Sequence, residues 1–146
     1  MHQMSDYPTC QKTFATLRIY HDTAEPPEVT RVLGITPTDI VRSGDTHGPS
    51  KRAATYKING WFLSSESSVS SQDSLRHIEW LLALIEPRCA QLSALREQGH
   101  RMVISCYWLS ASGHGGPTLT ADIMRRVAEV GLDLEFDVYF GGTDEK

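Results

Sequence analysis

Alternating or dense apolar residues mark three stretches of the chain as β-strands. The first runs from Thr13 to His21, where the apolar residues Ala15, Leu17 and Ile19 alternate with polar ones. A second, Arg101–Ser110, is apolar on both faces, which is typical of a central strand. The last lies within residues 132–140, and its period of two predicts one buried face. That face consists of Leu132, Leu134, Phe136, Val138 and Phe140.

Apolar residues spaced by three or four predict three helices. The first begins at Pro26-Pro27, where a missing backbone N–H costs little, and it ends at Gly34. The second covers residues 75–98, and its apolar stripe continues across Pro87. Because proline removes a hydrogen bond inside a helix, this helix is expected to be kinked or split there. The third begins after the capping residue Thr120.

Three segments between these elements lack a clear period. Residues 35–52 contain prolines and glycines throughout and predict an irregular loop. Ala53–Ser64 is apolar enough for a strand, but Asn59-Gly60 interrupts it. That dipeptide is typical of a hairpin turn or a bulge, and the short flanks favour one broken strand. Residues 64–74 are rich in serine and predict a flexible connector.

The order of these elements predicts an α+β fold. Strands in which apolar and polar residues alternate have one face exposed to solvent, which favours a mainly antiparallel sheet with helices on one side. The simplest arrangement is a ferredoxin-like sandwich of four strands, with the long helix inserted midway. We expect a single domain over residues 13–140 and flexible tails at residues 1–12 and 141–146.

The glycine-rich turn from Ser112 to Pro117 is the first candidate for a binding site. It leads into a helix N-terminus, whose N–H groups attract anions. In the predicted topology the strands Thr13–His21 and Arg101–Ser110 are parallel neighbours, so their carboxyl ends meet near this turn. No nucleotide-binding glycine pattern is present, so a capped turn without a ligand is the alternative. The ligand-binding candidates are His21, Asp22, His114, Gly115, Gly116, Thr118 and Thr120.

Metal and nucleophilic chemistry receive little support from the sequence. Suitable metal ligands are His21, Asp22 and His114, together with Asp45 or His47, but no spacing typical of a metal site occurs. Cys106 has apolar neighbours, which favour burial over an activated thiolate. We therefore expect no catalytic residue, no metal and no cofactor.

A protein-binding surface is predicted on the last strand. Asp133, Glu135 and Asp137 alternate with its apolar residues and form a wet, acidic face. Charge discourages stray pairing, so this strand suits the edge of a sheet. With Tyr139, these carboxylates are candidates for binding a basic partner by strand addition or charge steering.

Composition narrows the classes of function. The chain has 146 residues, which suits one domain, and a formal net charge of −4. This charge disfavours binding to nucleic acid, which requires a basic surface. No apolar run approaches the roughly 20 residues of a membrane span, and the first residues lack a signal-peptide core. Three cysteines without paired spacing predict reduced thiols in the cytoplasm.

Seven segments of the chain form a specific combination: Leu33–Thr38, Ser43–Asp45, Gly60–Glu66, His77–Pro87, Cys106–Trp108, Gly113–Leu119 and Gly131–Phe140. Together they resemble a bacterial family known as domain of unknown function 4279. The resemblance implies a small bacterial α+β domain and supplies no activity or catalytic residue. Small acidic domains of this sort often occur beside bacterial toxin genes as immunity proteins, which is an association and not a mechanism.

Two functions follow as hypotheses. The leading one is a non-enzymatic protein-interaction module, immunity-like or an adaptor, whose partner is a toxin or another protein with a basic surface. The alternative is a small-ligand or anion-binding domain, with or without catalysis, centred on residues 113–120. The oligomeric state stays open.

Overall fold

The computed structural model describes residues 6–45 and 56–141. The outer parts of both predicted tails, residues 46–52 of the predicted loop, which include His47, and the strand residues Ala53–Thr55 lie outside the described residues. A 3-10 turn, Glu86–Arg88, separates two of the helices. The other elements are β1 (Cys10–His21), α1 (Pro26–Leu33), β2 (Asp39–Val41), β3 (Asn59–Ser64), α2 (Ser74–Ile85), α3 (Cys89–Glu97), β4 (Arg101–Ser110), α4 (Ala121–Glu129) and β5 (Asp133–Phe140).

The described strands form one mixed sheet in the order β2-β3-β1-β4-β5. β1 pairs antiparallel with β3 and β4, whereas β5 runs parallel to β4. The α+β class is confirmed, but the described strands form a mixed sheet of five, with β4 and β5 as a parallel pair, instead of the expected mainly antiparallel sheet of four. The ferredoxin-like arrangement is not confirmed. The additional strand, β2, lies where the sequence predicts a loop. Sequence patterns do not reveal it because three residues are too few to show a period of two.

The direction of β4 differs from the prediction. β1 and β4 are neighbours as expected, but they are antiparallel, with Tyr20 opposite Arg101 and Cys10 opposite Ser110. The reason is that α2 and α3 carry the chain from β3 over β1 to β4. This crossover leaves β3 and β4 running in the same direction, so both are antiparallel to β1.

One apolar core lies between the sheet and the helices. Its strand residues come from one face of β1, β3 and β4, and each of the four helices contributes to it. A fully buried leucine or isoleucine stabilises such a core by roughly 1.5–3 kcal/mol. Helices on one side of the sheet therefore account for the core, as predicted. Its members include Leu17, Ile19, Leu33, Trp61, Leu82, Leu92, Ile104, Ile123 and Val127.

Helix ends follow the local signals in the sequence. Gly34 ends α1 with a left-handed φ of 71°, a conformation that glycine adopts without strain. The Thr120 hydroxyl oxygen accepts a hydrogen bond from the Ile123 N–H and caps α4. The long predicted helix is split rather than kinked, since Pro87 lies in the 3-10 turn between α2 and α3.

Asn59 and Gly60 form neither a hairpin turn nor a bulge. They are the first residues of β3 and pair with the end of β1. The Asn59 carboxamide oxygen accepts from the Ser43 N–H at 2.7 Å, and its nitrogen donates to the carbonyls of Thr23 and Ala24. This buried amide therefore joins the chain segments that follow β1 and β2.

Candidate functional site

The apolar face of β5 is exposed over its second half. The register places Phe136 beside Cys106 and Val138 beside Trp108, on the helix-covered side of the sheet. Yet Phe136 is 37%, Val138 43% and Phe140 71% exposed. The predicted burial of this face is therefore wrong beyond Leu134. With Met124 of α4, which is also exposed, these three residues form what we call the apolar patch.

A groove between α4 and β5 adjoins the apolar patch. It encloses about 310 Å³ and is lined by side chains that are almost all apolar. It arises because α4 has only nine residues and directs Ile123 and Val127 into the core, so the edge strand extends beyond the helix layer. The lining includes Leu119, Met124, Val127, Leu132, Leu134 and Phe136.

The opposite face of β5 carries an acidic row, Asp133, Glu135 and Asp137. All three side chains are exposed, and in the described part of the chain none forms a salt bridge. Tyr139 continues the row, and its ring centre lies 5.2 Å from that of Tyr107. The negative charge of Asp137 raises the pKa of the Tyr139 phenol. This face therefore has an unbalanced negative charge next to an aromatic surface.

The outer edge of β5 completes this surface. β5 is the last strand of the sheet, and within the described ranges no strand pairs with its outer side. Alternate N–H and C=O groups of an edge strand point away from the sheet and provide a template for a further strand. The apolar patch, the acidic row and this edge together form what we call the β5 surface.

His21 and Asp22 lie far from the glycine-rich turn. Because β1 and β4 are antiparallel, the end of β1 lies beside Arg101, at the start of β4. About nine residues of β4, or roughly 30 Å of extended chain, separate this position from the turn. The expected proximity of His21 and Asp22 to His114 is therefore wrong, and the predicted ligand set is divided between two ends of the sheet.

Local hydrogen bonds occupy the His21 ring. Its Nδ1 accepts from the N–H groups of Thr23 and Ala24 at 3.0 and 2.8 Å, so its Nε2 carries the proton donated to the Gln98 carbonyl at 2.9 Å. Asp22 forms an exposed ion pair with Arg101. His21 thus connects the end of β1 to the end of α3, and Asp22 connects it to the start of β4.

No group of three potential metal ligands occurs among the residues that the structure describes. Asp45, one of the proposed ligands, instead accepts a hydrogen bond from the Arg42 N–H at 2.9 Å. His47 lies outside the described ranges.

The glycine-rich turn is held by its own hydrogen bonds. The Ser110 hydroxyl donates to the His114 carbonyl at 2.8 Å and accepts from the Gly113 N–H at 2.8 Å. The His114 ring is exposed and meets Ser112 at 3.2 Å. These contacts explain the shape of the turn without a ligand.

The segment before β1 packs on this turn. The Tyr7 hydroxyl donates to the Gly116 carbonyl and lies 3.3 Å from the Thr118 hydroxyl. Gly115 has a φ of 96°, and a β-carbon there would lie 2.5 Å from Thr9. Binding of an anion by the turn and by Thr118 and Thr120 stays a prediction.

Asp6 anchors the same segment to the connector before α2. Its carboxylate accepts from the Ser71 hydroxyl and, at 2.9 Å, from the Gln72 N–H. The hydrogen bond from Ser71 holds the pKa of Asp6 below its ordinary value. Residues 6–9 therefore contact the domain, and β1 begins at Cys10, three residues before the predicted start.

Comparison with protein families identifies the chain. A family model described as Domain of unknown function (DUF4279) matches residues 11–141, which is nearly the whole chain. The chain belongs to this family. The resemblance inferred from seven segments is thus confirmed. Neither the curated proteins nor the solved structures contain a significant match. In the described part of this DUF4279 domain, no helix has the length and apolar character needed to cross a membrane.

Two of the segments that resemble DUF4279 meet in a buried hydrogen-bond network. The Ser65 hydroxyl, just after β3, donates to His77 Nδ1 at 2.6 Å and accepts from the Ala15 N–H at 2.9 Å. His77 Nε2 donates to the Ser71 carbonyl at 2.7 Å. Burial lowers the pKa of His77, so the neutral imidazole is favoured. Sequence reasoning missed this pair because the partners are joined by folding and not by a motif.

This Ser65–His77 pair is enclosed by the core. Ser65 is 0% and His77 1% exposed, and the second ring nitrogen of His77 bonds to a backbone carbonyl and not to a carboxylate, as it would in a serine hydrolase triad. Nearby, the Thr13 hydroxyl donates to the Tyr107 carbonyl and lies 2.8 Å from the Ser74 hydroxyl. The network therefore satisfies buried polar groups between β1, β3 and α2.

Proposed function

We propose that this DUF4279 domain is a non-enzymatic protein-interaction module of the bacterial cytoplasm, with an immunity-like or adaptor role. It binds its partner through the β5 surface. The supporting observation is the exposure of Phe136, Val138 and Phe140 on the face of β5 that elsewhere lies against the core. Contiguous exposed apolar residues with a polar rim are typical of protein-binding surfaces.

The charge and thiol content agree with this proposal. The acidic row adds an electrostatic component that steers a basic partner and discriminates against acidic ones. Cys10, Cys89 and Cys106 are free thiols, a state that a reducing compartment maintains. Free thiols therefore favour the cytoplasm as the site of action.

Site-specific photocrosslinking in the native host tests the proposal. A photoreactive phenylalanine analogue replaces Val138 in one strain and Glu97, an exposed residue of α3, in a control strain. We expect irradiation to attach a protein to position 138 and not to position 97. Equal capture at both positions, or none at position 138, would count against an interaction role for the β5 surface.

A further inference from the structure

We infer that the partner presents an extended segment in which basic and apolar residues alternate, and that this segment adds to β5 as the next strand of the sheet. The inference rests on the function proposed above and specifies the chemistry of the partner. It follows from the edge, the two faces of β5 and the pattern of charge along it.

The free edge of β5 selects an extended segment. β5 has eight residues, enough for a full ladder with a peptide of similar length. Within the described ranges its outer side has no paired strand, so its outward N–H and C=O groups are available for main-chain hydrogen bonds. Strand addition uses these bonds for affinity and the side chains for specificity.

The two faces of β5 select alternating side chains. Successive residues of an added strand point to opposite faces. One set therefore lies beside Asp133, Glu135 and Asp137, where basic side chains balance a charge that has no ion-pair partner among the described residues. The other set lies beside Phe136 and Val138 and covers the adjoining groove of about 310 Å³.

Tyr139 favours arginine among the basic residues. Its ring is 48% exposed and lies at the end of the acidic row. A guanidinium group stacks on an aromatic face and also forms paired hydrogen bonds with a carboxylate. An arginine opposite Asp137 or Tyr139 would make both contacts.

A second copy of this chain fits the edge poorly. An antiparallel two-fold pairing of β5 with itself, centred at any residue from Leu134 to Asp137, places a carboxylate of the acidic row opposite another. A shift by one position instead places carboxylates opposite apolar residues. Centring the pair at Val138 avoids both conflicts but keeps only residues 136–140 in the ladder. Charge along the strand therefore opposes self-pairing and favours a basic partner.

Synthetic peptides test the inference directly. The probe is an eight-residue peptide of alternating arginine and valine, and the matched control has the same composition in two blocks, four arginines followed by four valines. Fluorescence anisotropy measures both dissociation constants at physiological ionic strength. We expect the alternating peptide to bind at least about tenfold more tightly than the block peptide, since only it presents charge and apolar surface on opposite faces.

Backbone methylation distinguishes strand addition from charge attraction. One derivative carries N-methyl groups on the four valines, and another carries them on the four arginines. In an added strand only one of these sets of N–H groups faces β5, so one derivative should lose binding and the other should retain it. Equal binding by both derivatives, or equal binding by the block and alternating peptides, would overturn the inference.

Charge reversal locates the peptide on the domain. Asp137→Lys should weaken binding about tenfold, whereas Glu97→Lys, which changes the net charge equally, should change it by less than about twofold. Equal effects would indicate non-specific attraction and overturn the inference.

Sedimentation equilibrium of the domain alone tests whether a second copy of the chain occupies the edge of β5 instead. A dimer that Val138→Lys disrupts would overturn the inference, because a second copy would then pair with β5 in place of a basic partner. An absence of crosslinking at position 138 would instead contradict the proposed function itself.

Discussion

Trp108 and Val138 are partners across the parallel β4–β5 ladder, yet Trp108 is 1% exposed and Val138 43%. Both side chains lie on the side of the sheet that carries the helices. The helix layer therefore ends between these two strands, over a distance of about 5 Å. This boundary leaves an apolar face of β5 in contact with solvent, and the proposed interaction surface depends on it.

Val138→Lys should leave the fold intact. Because Val138 is outside the helix layer, we expect the free energy of unfolding to change by less than about 0.5 kcal/mol. Ile104→Ala, in the core next to β5, should lose about 2–5 kcal/mol. Urea unfolding followed by circular dichroism measures both. A loss above about 2 kcal/mol for Val138→Lys would place this side chain in the core and contradict the proposed surface.

Stability should decrease as the pH falls below the ordinary histidine pKa of 6.5. Burial lowers the pKa of His77 and of His100 in the folded protein. As the pH falls, these two histidines are therefore protonated in the unfolded chain before they are protonated in the folded protein. Between 6.5 and the lowered folded values, each histidine reduces the free energy of unfolding by up to about 1.4 kcal/mol per pH unit. Above pH 6.5 the full free energy of unfolding is reached, because both histidines are then neutral in the unfolded chain as well.

Urea titrations at several pH values, from about 8 to 5, measure this slope. Met124 provides the control because it is exposed and carries no titratable group, so Met124→Leu should leave the slope unchanged. His100→Phe should reduce it. An unchanged slope in His100→Phe would show that this group does not contribute.

Gly115→Ala should destabilise the domain by about 2 kcal/mol. An alanine would have to adopt a left-handed φ of 96°, which costs roughly 1–2 kcal/mol, and its β-carbon would meet Thr9 at 2.5 Å. Gly116→Ala is the matched control, since no atom lies within 4 Å of its added β-carbon. Thermal unfolding of both variants checks the difference. Similar melting temperatures would argue against packing of residues 6–9 on the turn.

Inorganic phosphate tests the anion-binding alternative. If the turn bound phosphate with a dissociation constant of about 1 mM, then about 10 mM phosphate would stabilise the domain by about 1.4 kcal/mol. We expect no shift in melting temperature relative to the same ionic strength of sodium chloride, because Ser110 and Tyr7 already bond to the turn. A shift that Thr118→Val removes would favour the alternative function.

Only one thiol should react quickly in the native protein. Cys89 is exposed, whereas Cys10 and Cys106 are buried. Burial raises the pKa of Cys10 to about 11 and also raises that of Cys106, which disfavours the reactive thiolate. Titration with Ellman's reagent should therefore detect one fast thiol, which Cys89→Ser removes, and three in urea. Fast reaction of a second thiol would contradict the burial of β1 or β4.

Local features of the chain were determined by the sequence alone. The ends of α1 and α4 follow from Gly34 and Thr120, since caps depend on groups three or four residues away. The acidic row follows from the two-residue period of β5. These interactions act within one element, so the order of residues is sufficient to predict them.

Strand pairing and helix coverage were decided only by the tertiary structure. The antiparallel β1–β4 pair separates His21 from His114, and the end of the helix layer exposes Val138. Both depend on how α2, α3 and α4 cross the sheet, which is a balance of packing between residues far apart in the chain. A period of two identifies the faces of β5, but the position of a neighbouring helix determines which part of a face is buried.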